Sequence, residues 1–367
     1  MTISGIRPVD TPARTDLVRA ATPREDAVMV LLAACLVGGA LSDGWAHANV
    51  IETLEGFFTP WHGLLYAGFA GSAAWTFWLA YQRRDQAPRW WRDGWPAGYR
   101  LGALGVLLFL VGGLADMVWH ETIGIEVGLE ATFSPSHMLL VVGGVLIVTS
   151  PLRSWWVTGG RAITGIVSVT LGAMATTILL THSSAFLTLA PTQPYDGYDG
   201  DETGLQGMSR LVALTGVSSY VITTLLLTVP LLLVLRRRPT LGAATAITAG
   251  VALFVMVMFE FPAAQAAGAV AAVCGAAVAD TLIARLDAVR GTGAPLRLVI
   301  AGALFPALVW SGQLLGLHVA EGLQWPAEMW TGVIVLTAIL GALLGTLAGG
   351  YSGQPAGIRE PRTSPLA

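Results

Sequence analysis

Polar positions occur along most of this chain only in short clusters, and between the clusters run apolar stretches of span length. In order, these stretches lie at about 27–46, 58–81, 99–120, 135–152, 162–182, 208–235, 240–259, 262–284, 298–318 and 326–349. Each is close to the length an α-helix needs to cross the ~30 Å hydrocarbon core of a bilayer. Inside that core no water is available to the backbone, and a helix satisfies its N–H and C=O groups internally. The pattern therefore predicts an all-α, polytopic membrane protein of about ten transmembrane helices, arranged as five outward-facing hairpins. The least marked boundary is at 260–262, where Glu260-Phe261-Pro262 is the only turn signal between two apolar runs. The first run lacks a small-residue cleavage site and reads as a retained helix.

The segments outside this pattern are short. Residues 1–26 are polar, with four Arg and three Pro, and residues 351–367 are similar in character. Both are expected to be disordered cytoplasmic tails flanking one transmembrane domain over 27–350. Composition agrees: 54% of the residues are hydrophobic and 12% charged. The chain has no Lys, so its fixed positive charge is all Arg. With the N-terminus inside, every Arg except Arg210 falls in a cytoplasmic loop or tail. This is the asymmetry expected of a multi-pass protein of the bacterial cytoplasmic membrane with both termini cytoplasmic. The lipid bilayer is then its first partner. Neither a nucleotide-binding loop nor a basic patch for nucleic acid is present in the sequence. Cys35 and Cys274 each stand alone in an apolar run and are expected to be small core residues.

Two stretches repeat. Asp43 to Leu65 and Asp116 to Leu140 share the order D-x3-H, a gap, then E-x2-F-[ST]-P-x-H-x-L-L. With a two-residue gap, Asp43 aligns with Asp116, His47 with His120, Glu55 with Glu130, His62 with His137 and Gly68 with Gly143. The agreement indicates an internal duplication of a helical hairpin, with units at about 27–84 and 97–153. Asp and His four apart share one face of a helix. Thr59-Pro60 and Ser134-Pro135 each read as an N-cap followed by Pro at the first helical position. His62 and His137 then sit in the first turn of the following helix. Each repeat offers one carboxylate and two imidazoles around a helix–loop–helix bend.

That ligand type suits a transition metal, with copper or iron favoured and zinc an option. Asp43, His47, His62, Asp116, His120 and His137 are the candidate metal ligands. Glu55 and Glu130 are candidate orienting acceptors for the histidines. His182 and His318, at the same end of later helices, are weaker candidates. They belong to fainter echoes of the repeat, with Ile178 and Leu314 where the Asp would stand. Asp280 is expected to pair with Arg285. Trp45, Trp61, Trp119 and Trp325 fit an interfacial belt. The competing reading of the carboxylates and histidines is structural, with each Asp holding neighbouring hairpins together. Proton or ion conduction is a further one.

Asp116-x3-His120 with His137 beyond it resembles the metal-binding motif in the membrane C subunit of particulate methane and ammonia monooxygenases, where Asp-x3-His on one helix is joined by a His on the next. The resemblance covers some twenty residues and implies copper. The leading functional expectation is an integral membrane metalloprotein with its site at the extracytoplasmic face. It would be an iron- or copper-dependent oxidoreductase acting on a small or lipophilic substrate. The alternatives are a zinc-dependent membrane hydrolase, with a carboxylate as general base, and a non-enzymatic metal-handling or assembly protein.

Overall fold

A computed structural model of the chain describes residues 20–50, 56–124, 128–196, 204–237, 240–288 and 294–350. The described residues form helices and connecting turns, with no strand among them. The helices are α1 (Pro23–Asn49), α2 (Pro60–Tyr81), α3 (Trp90–Asp93), α4 (Arg100–Thr122), α5 (Gly128–Phe133), α6 (Pro135–Val148) and α7 (Ser150–Thr158). They continue with α8 (Ala162–Leu180), α9 (Gly204–Arg237), α10 (Ala243–Met258), α11 (Ala263–Ala288), α12 (Ala294–Glu321) and α13 (Ala327–Gly350). A helix occupies each of the ten expected spans. Among the described residues, eight helical segments are long and apolar enough to cross a membrane, with α6 and α7 counted as one. The other two expected spans are α2, of 22 residues, and α10, of 16. The chain is a multi-pass, all-α membrane protein.

Local chemistry accounts for the ends. The α1 N-terminus carries a capping box, in which Thr22 accepts from the Glu25 N–H and Glu25 accepts from the Thr22 N–H, with Pro23 opening the helix. The first helix thus begins ahead of position 27. Asp26, expected in the polar tail, is buried: Tyr99 donates to it at 2.7 Å and Ser154 at 2.9 Å. These bonds tie α1 to the approach to α4 and to α7. The break expected at 260–262 is present. Glu260 and Phe261 both hold positive φ, 59° and 53°, in a two-residue reversal before Pro262.

Asp280 does not pair with Arg285. Its carboxylate accepts from the N–H groups of Ala244 and Thr245, at 3.1 and 2.9 Å, and from the Thr245 hydroxyl at 2.6 Å. It caps the N-terminus of α10 from a neighbouring helix. The favourable interaction of a carboxylate with a helix N-terminus explains that choice of partner. Cys35 and Cys274 are free and exposed on helix surfaces, not in the core. Trp325 is buried and packed on Tyr220.

Two apolar clusters organise the bundle. One joins α1, α2, α4 and α6 through Leu36, Phe69, Phe109 and Ile147. The other joins α9 to α13 through residues such as Leu231, Ala272, Phe305 and Trp310. Helices α8 and α10 contribute to both, Leu171 and Phe254 to the first and Val169 and Val251 to the second.

The hairpins α1–α2 and α4–α6 close in the same way. A Cβ on Gly68 would stand 2.6 Å from Leu36 Cα, and one on Gly143 would stand 2.6 Å from the Phe109 nitrogen. Leu36 lies seven residues before Asp43 and Phe109 seven before Asp116, so these contacts are equivalent under the sequence alignment. Close approach of backbones at small residues is how helices associate where lipid supplies no hydrophobic drive.

Candidate metal centre

The site lies at one end of these two hairpins and is built from four helix ends. Asp43 and His47 stand in the last turns of α1, and Asp116 and His120 in the last turns of α4. His62 and His137 stand in the first turns of α2 and α6. The Thr59 hydroxyl caps α2 by accepting from the His62 N–H at 3.1 Å, so the Thr-Pro signal acts as expected. The Ser134 hydroxyl makes no such cap; it lies 2.7 Å from the Ser136 hydroxyl, which donates to Asp116 at 3.3 Å.

The two hairpins converge on His120. His47, His62 and His120 form one group with ligand atoms all within 4.8 Å of one another, and Asp116, His120 and His137 form a second. His120 belongs to both. Ring centroids are 5.3 Å apart for His62 and His120, 5.8 Å for His47 and His120, and 6.4 Å for His120 and His137. Three of the residues are deeply buried, with relative exposures of 1% for Asp116, 3% for His62 and 5% for His120. Asp43 stands outside both groups, with a carboxylate oxygen 3.6 Å from His62 Nε2.

The spacing fits ligation. His137 Nε2 lies 3.0 Å from Asp116 Oδ1, and His120 Nε2 lies 3.6 Å from the same oxygen. Two ligand atoms each about 2.0–2.2 Å from one ion stand roughly 3–3.5 Å from each other. His137 Nδ1 is 2.5 Å from the Ala131 carbonyl, which can only accept, so Nδ1 carries a proton. Its Nε2 edge faces Asp116, where it donates to the carboxylate as an imidazolium or, in a neutral ring, offers its lone pair to a shared ion. Several buried polar atoms here also lack a hydrogen-bond partner: Asp43 Oδ1, His47 Nδ1, Tyr66 Oη and both ring nitrogens of His120. Buried polar atoms are rarely left so, and an ion is one of the standard reasons. The residues present can hold a metal ion.

The orienting groups differ from those expected. Glu55 lies outside the described residues. Glu130 is exposed, and the carbonyl of its neighbour Ala131 fixes His137 instead. The Thr59 hydroxyl stands 3.1 Å from His62 Nδ1 and holds that edge of the ring. On its face, Phe57 stacks against His62 at 4.8 Å, and Phe57 is itself fixed by its N–H donating to Glu121 at 3.2 Å. Tyr66, one turn beyond His62 on α2, has its ring 6.3 Å from that imidazole. Sequence reasoning missed Phe57, Tyr66 and Ser136. The Phe at 57–58 and the i, i+4 relation of His62 to Tyr66 were the available signals.

The two weaker histidines part company with the site. His318 is exposed at the end of α12, where its Nδ1 accepts from the Leu323 N–H at 3.3 Å. His182 belongs to neither ligand group but lines a cavity of about 480 Å3 that Asp43, His47 and His137 also line. The rest of that wall is mainly apolar, including Leu36, Phe109, Val148 and Met258. A ligand set on one side and an apolar chamber on the other can bring a lipophilic molecule to a metal. Comparisons with family models, with curated proteins and with solved structures found no match to this chain.

Proposed function

We propose that this protein is a membrane oxidoreductase that holds copper or iron with His47, His62, His120, Asp116 and His137 and acts on a small lipophilic substrate. The observation that carries the reading is the pair of three-residue groups sharing His120, whose two ring nitrogens are both buried without a hydrogen-bond partner. A three-residue N/O set leaves coordination positions open for an exogenous molecule, as redox-active metals require when they act on a substrate. When bound, the metal would supply electron transfer or activation of an oxidant. The chain's own residues orient the imidazoles through Thr59, Phe57 and the Ala131 carbonyl, bring up Asp116, and exclude bulk water by burial.

The Asp-x3-His…His order shared with the copper site of the monooxygenase C subunits supports copper. The apolar wall beside the site supports a lipophilic substrate over the water needed by a zinc hydrolase. The Arg distribution supports an orientation with the site on the extracytoplasmic side of a bacterial cytoplasmic membrane and both termini inside.

Elemental analysis and EPR of protein purified in mild detergent test this directly. Stoichiometric copper or iron with a nitrogen-coordinated EPR signature is expected, and it should be lost in His120→Ala. Stoichiometric zinc would move the assignment to the hydrolase. No metal after reconstitution, with wild-type thermal stability depending on Asp116 and His137, would leave only a structural role.

A further inference from the structure

The cavity beside the metal centre has a direction. On α1 its lining runs from Leu36 to Ala48, and on α6 from His137 to Val148. The stretches cover about 18 and about 16 Å of helix, roughly half the thickness of a hydrocarbon core. The two helices run oppositely, so the polar ends of both stretches fall together. At that end stand Asp43, His47, His137 and His182; away from it the wall is Leu36, Gly144, Val148 and Ala175. Asp43 and His47 both line that end, and the Asp43 carboxylate can accept a hydrogen bond. An apolar shaft with acceptors at one end matches one kind of occupant, a single-chain lipophile whose head group donates a hydrogen bond.

We propose that this cavity is the binding site for such a molecule, a long-chain alcohol, phenol or quinol, seated tail-inward with its protic head on Asp43 and facing the metal-binding histidines. The proposal names the substrate class of the oxidoreductase reading and rests on that reading for the chemistry, though the binding itself needs only the cavity. Asp43 is well placed for it. It lies outside both ligand groups yet touches His62, so it can position a head group next to the site. Size fits as well, since about 480 Å3 is within the range of small-molecule sites.

The test uses full-length protein in lipid nanodiscs and a decanol carrying a photoreactive diazirine on its chain. Labelled peptides are mapped by mass spectrometry, and bound metal is measured on the same sample. Labelling is expected on α1 and α6 at cavity residues, reduced severalfold by unlabelled decanol and little by decane. Gly144→Leu should abolish it. A Cβ at Gly144 meets nothing nearer than 3.8 Å, so the new side chain fits while filling the shaft, and metal content should stay at the wild-type level. Val141→Phe, from the same wall, serves if that variant does not accumulate. Asp43→Leu should remove the preference for decanol over decane. Labelling confined to lipid-facing helix surfaces, or competed equally by decane, overturns the proposal. Wild-type protein that labels as expected but holds no metal refutes the oxidoreductase instead and leaves the cavity assignment standing. Metal at full occupancy without competable labelling does the reverse.

Discussion

Two buried polar clusters in this bundle are built on opposite rules. In the C-terminal half, Tyr220 donates to Gln313 at 2.5 Å, Gln313 donates to the Ala185 carbonyl at 3.2 Å, and Trp310 donates to Thr224 at 2.7 Å. Thr224 passes its own proton to the Tyr220 carbonyl, and the Ala185 N–H donates to Thr223. The network closes on itself. In the N-terminal half, Asp43, His47, Tyr66 and His120 bury polar atoms with no such partners. A satisfied network in low dielectric rigidifies and contributes to stability, whereas an unsatisfied one costs the desolvation of each group. The first cluster is complete as protein. The second has buried polar atoms that an ion could satisfy, which favours the metal reading over a packing role.

This contrast can be broken at several points. The largest effect expected is for His120→Ala, which removes a ligand from both groups. Metal affinity should fall by more than the ~100-fold typical of losing an orienting contact. The metal-free protein should melt no lower than wild type, because two unpartnered nitrogens leave with the side chain. A large loss of metal-free stability with metal retained would show the cluster to be structural. Next, Thr59→Val should weaken metal binding by about 10–100-fold, since it frees the Nδ1 edge of His62. Titration with a competing chelator measures this, and an unchanged affinity would mean that His62 is not oriented by Thr59. Gln313→Leu should do the opposite. It leaves the Tyr220 hydroxyl and the Ala185 carbonyl short of a partner, at a cost of about 1–2 kcal/mol in unfolding from detergent, with metal content unchanged. Smallest of all, His318→Ala should alter neither property, with stability within about 0.5 kcal/mol of wild type, because that ring only meets the Leu323 N–H at an exposed turn. Metal loss in this variant would extend the site to a helix end that the fold keeps apart from it.

The pattern of apolar runs made the helices legible, down to the reversal at Glu260 and Phe261, because membrane-spanning length is a local property of the chain. The D-x3-H units and the Thr-Pro cap were legible for the same reason: three or four residues along a helix determine which side chains share a face. What holds the histidines was not. Ala131 acts through its carbonyl, which no side-chain motif records, and Glu121 reaches His62 only through Phe57 across a loop. The partner of Asp280 was misjudged because the nearest charge in sequence, Arg285, lost to a helix N-terminus distant in the chain. His182 and His318 looked alike as histidines at helix ends. Only the packing of α8 against α6 and α10 separates a cavity wall from an exposed turn.

The brevity of α10 bears on how the protein is made. At 16 residues it spans about 24 Å, less than the hydrocarbon thickness. Most of its side chains, among them Ile247, Val251, Phe254 and Val255, are enclosed by other helices and not by lipid. Its N-terminus depends on a carboxylate carried by α11, and its C-terminus turns within two residues into that same helix. Such a segment is a poor candidate to enter the bilayer alone as it leaves the insertion machinery. It and α11 are suited to enter together as a preformed pair, with the Asp280 cap closed before either meets the hydrocarbon. Helices α12 and α13 would then be laid around a hairpin delivered as a unit.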